Sequence, residues 1–414
     1  MIRTGRQKRH RTGREAGIIP VIPAYPISQV GAVIERGTRP LGVDQMNRIE
    51  NQEYQPLSRT IFSPYRISPL GAHIDHQGGP VMGRTLAIGT TLTYTALNEP
   101  LIHLVSEQFG VVEFGLGSEI DRTHWARYAQ AAARVLGDRV RCGMQAHIRG
   151  SLIGAGLSSS ASVGLAYLKA LAEINAVPLQ PADLVRMDFE LENGQLGLQN
   201  GLLDPLSIVH GKKDALLLMD TLTAQVTAIP DPPQPDWAWI AAYSGISREL
   251  TKSGYNVRVA ECQEAAALLQ PGAARLSDVP REVFDRRKAE LPENLHRRAE
   301  HFYGEVERVG LGAEAWKRAD AAAFGELMNR SCASSIGLYQ SGSPILIELH
   351  ELVSAAGGVL GSRFSGGGYG GVVVGLARRA VAVDAVRAVE ETFRARHPEL
   401  PARAFILELG DGLR

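Results

Sequence analysis

The alternation of apolar and polar residues becomes regular only from Ser58 onward. A short apolar run over 60–62 leads into a turn punctuated by proline and glycine. Alternating apolar positions over 85–97 then predict a strand, so small sheets are expected in this stretch. Residues 123–136 place Trp125, Tyr128, Ala132 and Leu136 on one helical face, and Gly137-Asp138 closes that helix. After a predicted strand over 144–148, residues 161–176 bring Val163, Ala166, Leu168, Leu171 and Ile174 onto an apolar stripe that stops before Pro178, the pattern of a helix. A helix over 183–192 and strands over 215–219 and 237–243 come next, the last after a proline-rich break over 230–235. From Asn256 to about Leu352 the pattern is mainly helical. It then changes to strands over 359–364 and 371–376, a helix over 381–396 and a final strand over 404–409. There is no internal repeat.

At 414 residues the chain exceeds the usual size of one domain, and the proline-rich break divides it into domains over 55–229 and 230–414. Residues 1–54 are different in character: Arg3, Arg6, Lys8, Arg9, Arg11 and Arg14 are followed by Pro20, Pro23, Pro26 and Pro40 without any apolar period. This stretch reads as a disordered extension, or as residues upstream of a true start at Met46. A basic nucleic-acid arm and a targeting peptide are weaker readings, the latter because no serine precedes Ser28.

The 44 basic and 44 acidic residues balance to a net charge of zero, which points away from nucleic acid or a membrane surface and toward a small molecule as partner. No apolar run of about 18 residues occurs and no secretory segment opens the chain. Cys142, Cys262 and Cys332 are far apart and odd in number, so free thiols in a reducing cytoplasm are expected.

Four segments carry candidate chemistry. Gly154-Ala155-Gly156-Leu157-Ser158-Ser159-Ser160 opens a predicted helix, where glycine backbone, serine hydroxyls and free helix N–H groups suit a phosphate. A serine N-cap after a flexible turn is the plainer reading, and no Walker motif exists in the chain. Gly366-Gly367-Gly368-Tyr369-Gly370-Gly371 formally contains a dinucleotide fingerprint, but the β-branched run Val372-Val373-Val374 makes it a strand–loop–strand turn. In the third segment, from Ser63 to Gly79, His73, Asp75 and His76 suit hydrogen bonding to a polyhydroxylated ligand better than metal ligation, and each also fits an ordinary turn. In the fourth, Glu192 and Asp204 stand twelve residues apart around glycine-rich turns, as a metal ligand and a base or as two solvated charges.

Taken together, in order and spacing, these segments resemble the signature motifs of the GHMP kinases, specifically the galactokinase branch. His296-Arg297-Arg298-Ala299-Glu300-His301, Gly304-Glu305, Trp125 to Tyr128 and Ser253-Gly254-Tyr255 with Val257-Arg258 extend the similarity to roughly Ser58–Leu409. The resemblance implies an α+β, two-domain GHMP kinase fold with mixed β-sheets flanked by helices and the active site between the domains. It also implies ATP and Mg2+ as cofactors. It assigns Asp204 and Arg66 as the catalytic pair, Ser160 and Glu192 as magnesium ligands, and Gly154, Gly156, Ser158, Ser159 and Ser160 as the phosphate cradle. Gly367 and Gly368 close on the nucleotide and sugar side, while His73, Asp75, Gly201 and Tyr255 match sugar-contacting positions.

One departure bears on substrate. Ala72 stands where galactokinases carry a glutamate that receives the C6 hydroxyl, and the run Pro69-Leu70-Gly71-Ala72-His73-Ile74-Asp75-His76-Gln77-Gly78-Gly79 looks more like the plant galacturonokinases. A glutamate about 4 Å from a C6 carboxylate would repel it by about 1 kcal/mol in bulk water and ~4 kcal/mol at an effective dielectric of about 20. The upper figure is roughly a thousandfold in binding. Galacturonate is therefore the expected substrate, with galactose as the alternative and a non-catalytic sugar sensor as the reading from another class. His76, Lys252 and Arg258 are the basic groups open to the carboxylate.

Overall fold

A computed structural model describes residues 58–121, 123–247 and 254–414. The extension over 1–54, Lys252 and Ser253 lie outside the described residues.

Strands β1 (Arg59–Ile67), β2 (Val81–Ala96), β3 (Leu101–Ser106), β4 (Gly110–Gly115), β5 (Met144–Gly150), β6 (Ala215–Asp220) and β7 (Gln225–Pro230) form one mixed sheet. Its order is β4-β3-β5-β2-β6-β7, with β1 also paired to β2. The β3–β5 pair is parallel and the others are antiparallel. The small sheets expected here are thus one seven-stranded sheet. The reason is the length of β2: its first residues pair with β6, its last with β5, and β1 runs along most of it. Helices α1 (Arg127–Leu136), α2 (Ser159–Ile174), α3 (Pro181–Phe189) and α4 (Leu203–His210) accompany this sheet. The expected helix over 161–176 corresponds to α2, which buries Leu165, Leu168 and Leu171 against Leu92, Ile102 and Met144 of the sheet. The expected helix over 123–136 begins later, at Arg127. Helix α3 continues into a π-helical turn over Glu190–Gln195.

The second sheet is antiparallel, with β8 (Trp237–Tyr243), β9 (Val359–Phe364), β10 (Val372–Arg378) and β11 (Arg403–Ile406) in the order β11-β8-β10-β9. β8 and β10 are buried along nearly their whole length, which is why they read as continuous apolar runs rather than alternating ones. Helices α5 (Tyr255–Leu269), α6 (Arg281–Arg287), α7 (Glu293–Lys317), α8 (Ala321–Ser334), α9 (Pro344–Ala355) and α10 (Ala382–Arg396) belong to this half. The proline-rich break lies between β7 and β8.

The two sheets share apolar contacts: Met82 and Leu86 of β2 belong to one buried cluster with Trp239, Val372, Val374 and Trp316. Beyond β11 the chain returns to the first sheet, where Leu409 bridges Leu86 and Phe62 exchanges backbone hydrogen bonds with Arg414. The expected strand over 404–409 therefore divides between two sheets. Among the described residues no helix is long and apolar enough to cross a membrane.

Candidate active site

Arg66, near the end of β1, and Asp204, in the first turn of α4, meet as an ion pair across 138 residues of sequence. Arg66 Nε donates to Asp204 Oδ1 at 2.7 Å, Nη2 lies 2.6 Å from the same oxygen, and Nη1 donates to the Gly156 carbonyl at 3.2 Å. The second carboxylate oxygen accepts from the Ser158 hydroxyl at 2.5 Å. Ser158 precedes α2 in a left-handed conformation, φ +61°, a state that costs a non-glycine residue about 1–2 kcal/mol. The glycine–serine loop and Asp204 are thus one hydrogen-bonded unit, in which the Ser158 hydroxyl donates to Asp204.

Ser159 closes that loop by accepting the Gly154 N–H at 3.1 Å. The second glycine cluster packs on it backbone to backbone, since a Cβ on Gly156 would meet the Ser365 carbonyl at 2.9 Å and one on Gly371 the Ala155 carbonyl at 2.2 Å. Only glycine allows this approach. Gly366 to Gly371 do form the strand–loop–strand turn read from sequence, between β9 and β10, and the Gly368 carbonyl accepts from Ser343 N–H at 2.9 Å.

Glu192 lies in the π-helical turn and is buried. Its Oε2 accepts from the Asn200 amide at 3.0 Å, whereas Oε1 is buried without a hydrogen bond of regular geometry. Burial and the Asp204 charge raise its pKa, opposed by the Asn200 amide, the Ser160 hydroxyl and Arg66. An unsatisfied buried carboxylate oxygen beside a serine hydroxyl, both hard donors, fits a magnesium ion. One turn before it, Asp188 is fully buried with both oxygens unpartnered, and burial, Glu192 and Asp204 hold its pKa well above the carboxylate range. Asp188 has no signal in the sequence beyond its four-residue spacing from Glu192.

The residues expected to contact a sugar also converge. Asp75 Oδ2 accepts from Leu203 N–H at 3.4 Å, next to Asp204 in sequence, and a Cβ at Gly201 would sit 2.4 Å from the Asp75 backbone. Burial, then the Asp204 charge, lift Asp75 to a pKa of about 6. His73 adopts φ +58°, and its ring stacks on Tyr339 with centroids 4.3 Å apart and planes 3° from parallel. Its Nε2 lies 3.1 Å from the Ser341 hydroxyl. Tyr255, the first residue of α5, places its ring 6.5 Å from that of His73.

His76 contacts the Tyr339 hydroxyl at 3.0 Å through Nε2 and accepts the Gln77 amide at 2.9 Å on Nδ1. Burial and the neighbouring His301 depress its pKa to about 3. Of the open basic groups His76 is therefore neutral. Arg258 is engaged at 2.9 Å with a Glu261 oxygen that Arg298 shares, and Lys252 lies outside the described residues. Tyr339 and Ser341, not singled out in the sequence, complete this wall; they sit among small residues with no motif to mark them.

The chain is similar to known proteins along most of its length. Residues 127–212 match the GHMP kinases N terminal domain and 313–395 match the GHMP kinases C terminal family. The chain is 35% identical to a galacturonokinase from Arabidopsis thaliana, over 86% of this chain and 93% of that protein. It is 30% identical to a galactokinase from Staphylococcus carnosus, over 85% and 94% respectively. The crystal structure of Lactococcus lactis galactokinase complexed with galactose superposes with a TM-score of 0.82 at 28% identity, covering 89% of this chain and 98% of that one. A mevalonate kinase from Methanococcus jannaschii shares the fold at 16% identity and a TM-score of 0.60, covering 86% of this chain and 100% of that one. The chain belongs to the GHMP kinases, in their galactokinase-like branch, and is a sugar kinase.

Proposed function

We propose that the chain transfers the γ-phosphoryl group of ATP to the anomeric hydroxyl of D-galacturonate, giving galacturonate 1-phosphate and ADP. The observation that carries the choice of sugar is Ala72. Its buried methyl group stands beside His73 in place of a carboxylate, and the histidines around it are held neutral or low in pKa by burial. A C6 carboxylate meets no facing anion from that side chain. The 35% identity to a galacturonokinase supports the same reading.

In this reading Asp204 orients the anomeric O–H and receives its proton as the oxygen–phosphorus bond forms and the bond to the ADP oxygen breaks. Arg66, fixed to Asp204 and to the phosphate-loop carbonyl of Gly156, supplies positive charge where negative charge develops. Asp75, Gly201, His73 and Tyr255 hold the sugar ring, and Gly154, Gly156, Ser159, Gly367 and Gly368 hold the nucleotide phosphates. Magnesium, when bound by Ser160 and Glu192, would neutralise phosphate charge. The domain boundary is placed with it between residues 229 and 230, and the two family-matched segments fall on either side.

A sugar panel with ATP and magnesium, scored for sugar 1-phosphate and ADP, tests the proposal. Galacturonate is expected to be turned over with the highest kcat/KM. Equal or better turnover of galactose would favour the galactokinase alternative, which the likeness to the galactose-bound L. lactis enzyme keeps specific. Sugar binding without ADP release would leave the sensor reading.

A further inference from the structure

The wall that carries Ala72 and His73 is held from behind by one helix. His301 and Glu305 lie four residues apart on α7, hence one above the other on the same face, and both are fully buried. His301 Nε2 donates to the Ala72 carbonyl at 2.8 Å. The Ser334 hydroxyl, 2.8 Å from Nδ1, fixes that tautomer. Glu305 Oε1 accepts the N–H of Gly71 at 2.9 Å and that of Ala72 at 3.2 Å. Its charge is held by Arg308 Nε at 2.6 Å and the Ser331 hydroxyl at 2.5 Å, with Arg363 3.6 Å away. Ala72 is therefore gripped at both of its backbone polar groups, and the next residue is the left-handed His73.

A helix that needed only to pack would bury apolar side chains here. A buried carboxylate and a buried imidazole are costly unless paired, and here both are paired, to the Gly71–Ala72 backbone on one side and to Arg308, Ser331 and Ser334 on the other. We infer that His301 and Glu305 are positioning residues of the sugar pocket, which set sugar affinity by fixing the Ala72–His73 backbone without touching the sugar. The inference rests on the reading of Ala72 and His73 as pocket-lining residues.

The test compares His301→Leu, which removes the donor, with His301→Gln, which keeps an N–H near the Nε2 position. D-galacturonate and D-galactose serve as sugars, and melting temperature is followed in parallel. KM for the sugar is expected to rise about tenfold in His301→Leu while KM for ATP stays within about twofold, and His301→Gln should recover most of the loss. A purely structural role lowers the folded fraction, and with it the apparent kcat, but moves neither KM. Should His301→Leu fail to fold, Ser334→Ala loosens the same tautomer, with an expected rise of about threefold in sugar KM alone.

His73→Ala separates the pocket reading from the positioning role. An unchanged sugar KM in His73→Ala overturns the pocket reading and this inference with it. A rise in His73→Ala without one in the folded His301→Leu, or in Ser334→Ala where that variant stands in for it, overturns the inference alone.

Discussion

Asp204 is held by the Arg66 guanidinium on one oxygen and the Ser158 hydroxyl on the other, whereas the wall proposed for the sugar is lined by the rings of His73, His76, Tyr255 and Tyr339. In the first region removing one partner leaves a charge poorly compensated, so single changes act strongly there. In the second the side chains contribute shape and hydrogen bonds, and Ala72 contributes no charge at all. On the proposed reading, a kinase of this build keeps its transfer chemistry and alters its sugar by editing the neutral wall.

The largest effect is expected at the charged end. Asp204→Asn should cut kcat by at least about a hundredfold, as loss of a proton acceptor commonly does. Nucleotide binding, followed by titration of an ATP analogue, should remain near wild type. An Asn variant with undiminished turnover would remove Asp204 from the chemistry and collapse the contrast between the two regions.

At the neutral wall, Ala72→Glu should lower the ratio of kcat/KM for galacturonate over galactose by roughly five- to a thousandfold, depending on how far the pocket excludes water. Measuring both sugars in both proteins gives the ratio directly. A ratio that stays put would mean that the wall does not sense charge at C6.

A smaller effect, about tenfold in kcat, is expected for Ser158→Ala, near the low end of the about 1.5–3 kcal/mol that a bond to a charged partner contributes, since Arg66 still holds the Asp204 carboxylate. If Ser158 mainly orients Asp204, KM for ATP should hardly move. A rise confined to KM for ATP would return Ser158 to the phosphate cradle.

The charged end is legible in sequence because its parts lie in short contiguous runs whose residue types advertise their chemistry. The segment between Glu192 and Asp204, read as glycine-rich turns, instead opens in a π-helical stretch ending at Gln195, and α4 itself does not show, since Pro205 sits in its first turn where a proline is tolerated and reads as a break. The β3–β4 hairpin is also hidden. Its inward positions Ile102, Leu104 and Ser106 alternate with partly exposed Leu101, His103 and Val105, and two apolar residues on the outer face blur the period. The neutral wall is half legible. His73 and Tyr255 come from the resemblance, whereas the stack of His73 on Tyr339 joins residues from opposite ends of the folded chain and has no local pattern. The role of Ser158 is obscured for a related reason: a serine at a helix start looks the same whether its hydroxyl faces a phosphate or a carboxylate from another helix.

The π-helical turn Glu190–Gln195 bears on which changes of chain length the site can absorb. Such a turn holds an extra residue relative to an α-helix, here at the C-terminal end of α3, and it closes with the Leu196 N–H on the Leu191 carbonyl, at 3.1 Å; the Leu198 N–H then reaches the Glu192 carbonyl at 2.9 Å, just before Asn200 and Gly201. Deleting one residue from the turn would let it relax to ordinary α-helix and rotate the downstream chain by about 100°. Asn200 would then leave Glu192, and Gly201 would leave the hollow that receives Asp75. The number of residues between the two carboxylates is therefore fixed by geometry, while their identity at exposed positions such as Gln195 and Gln199 is far freer.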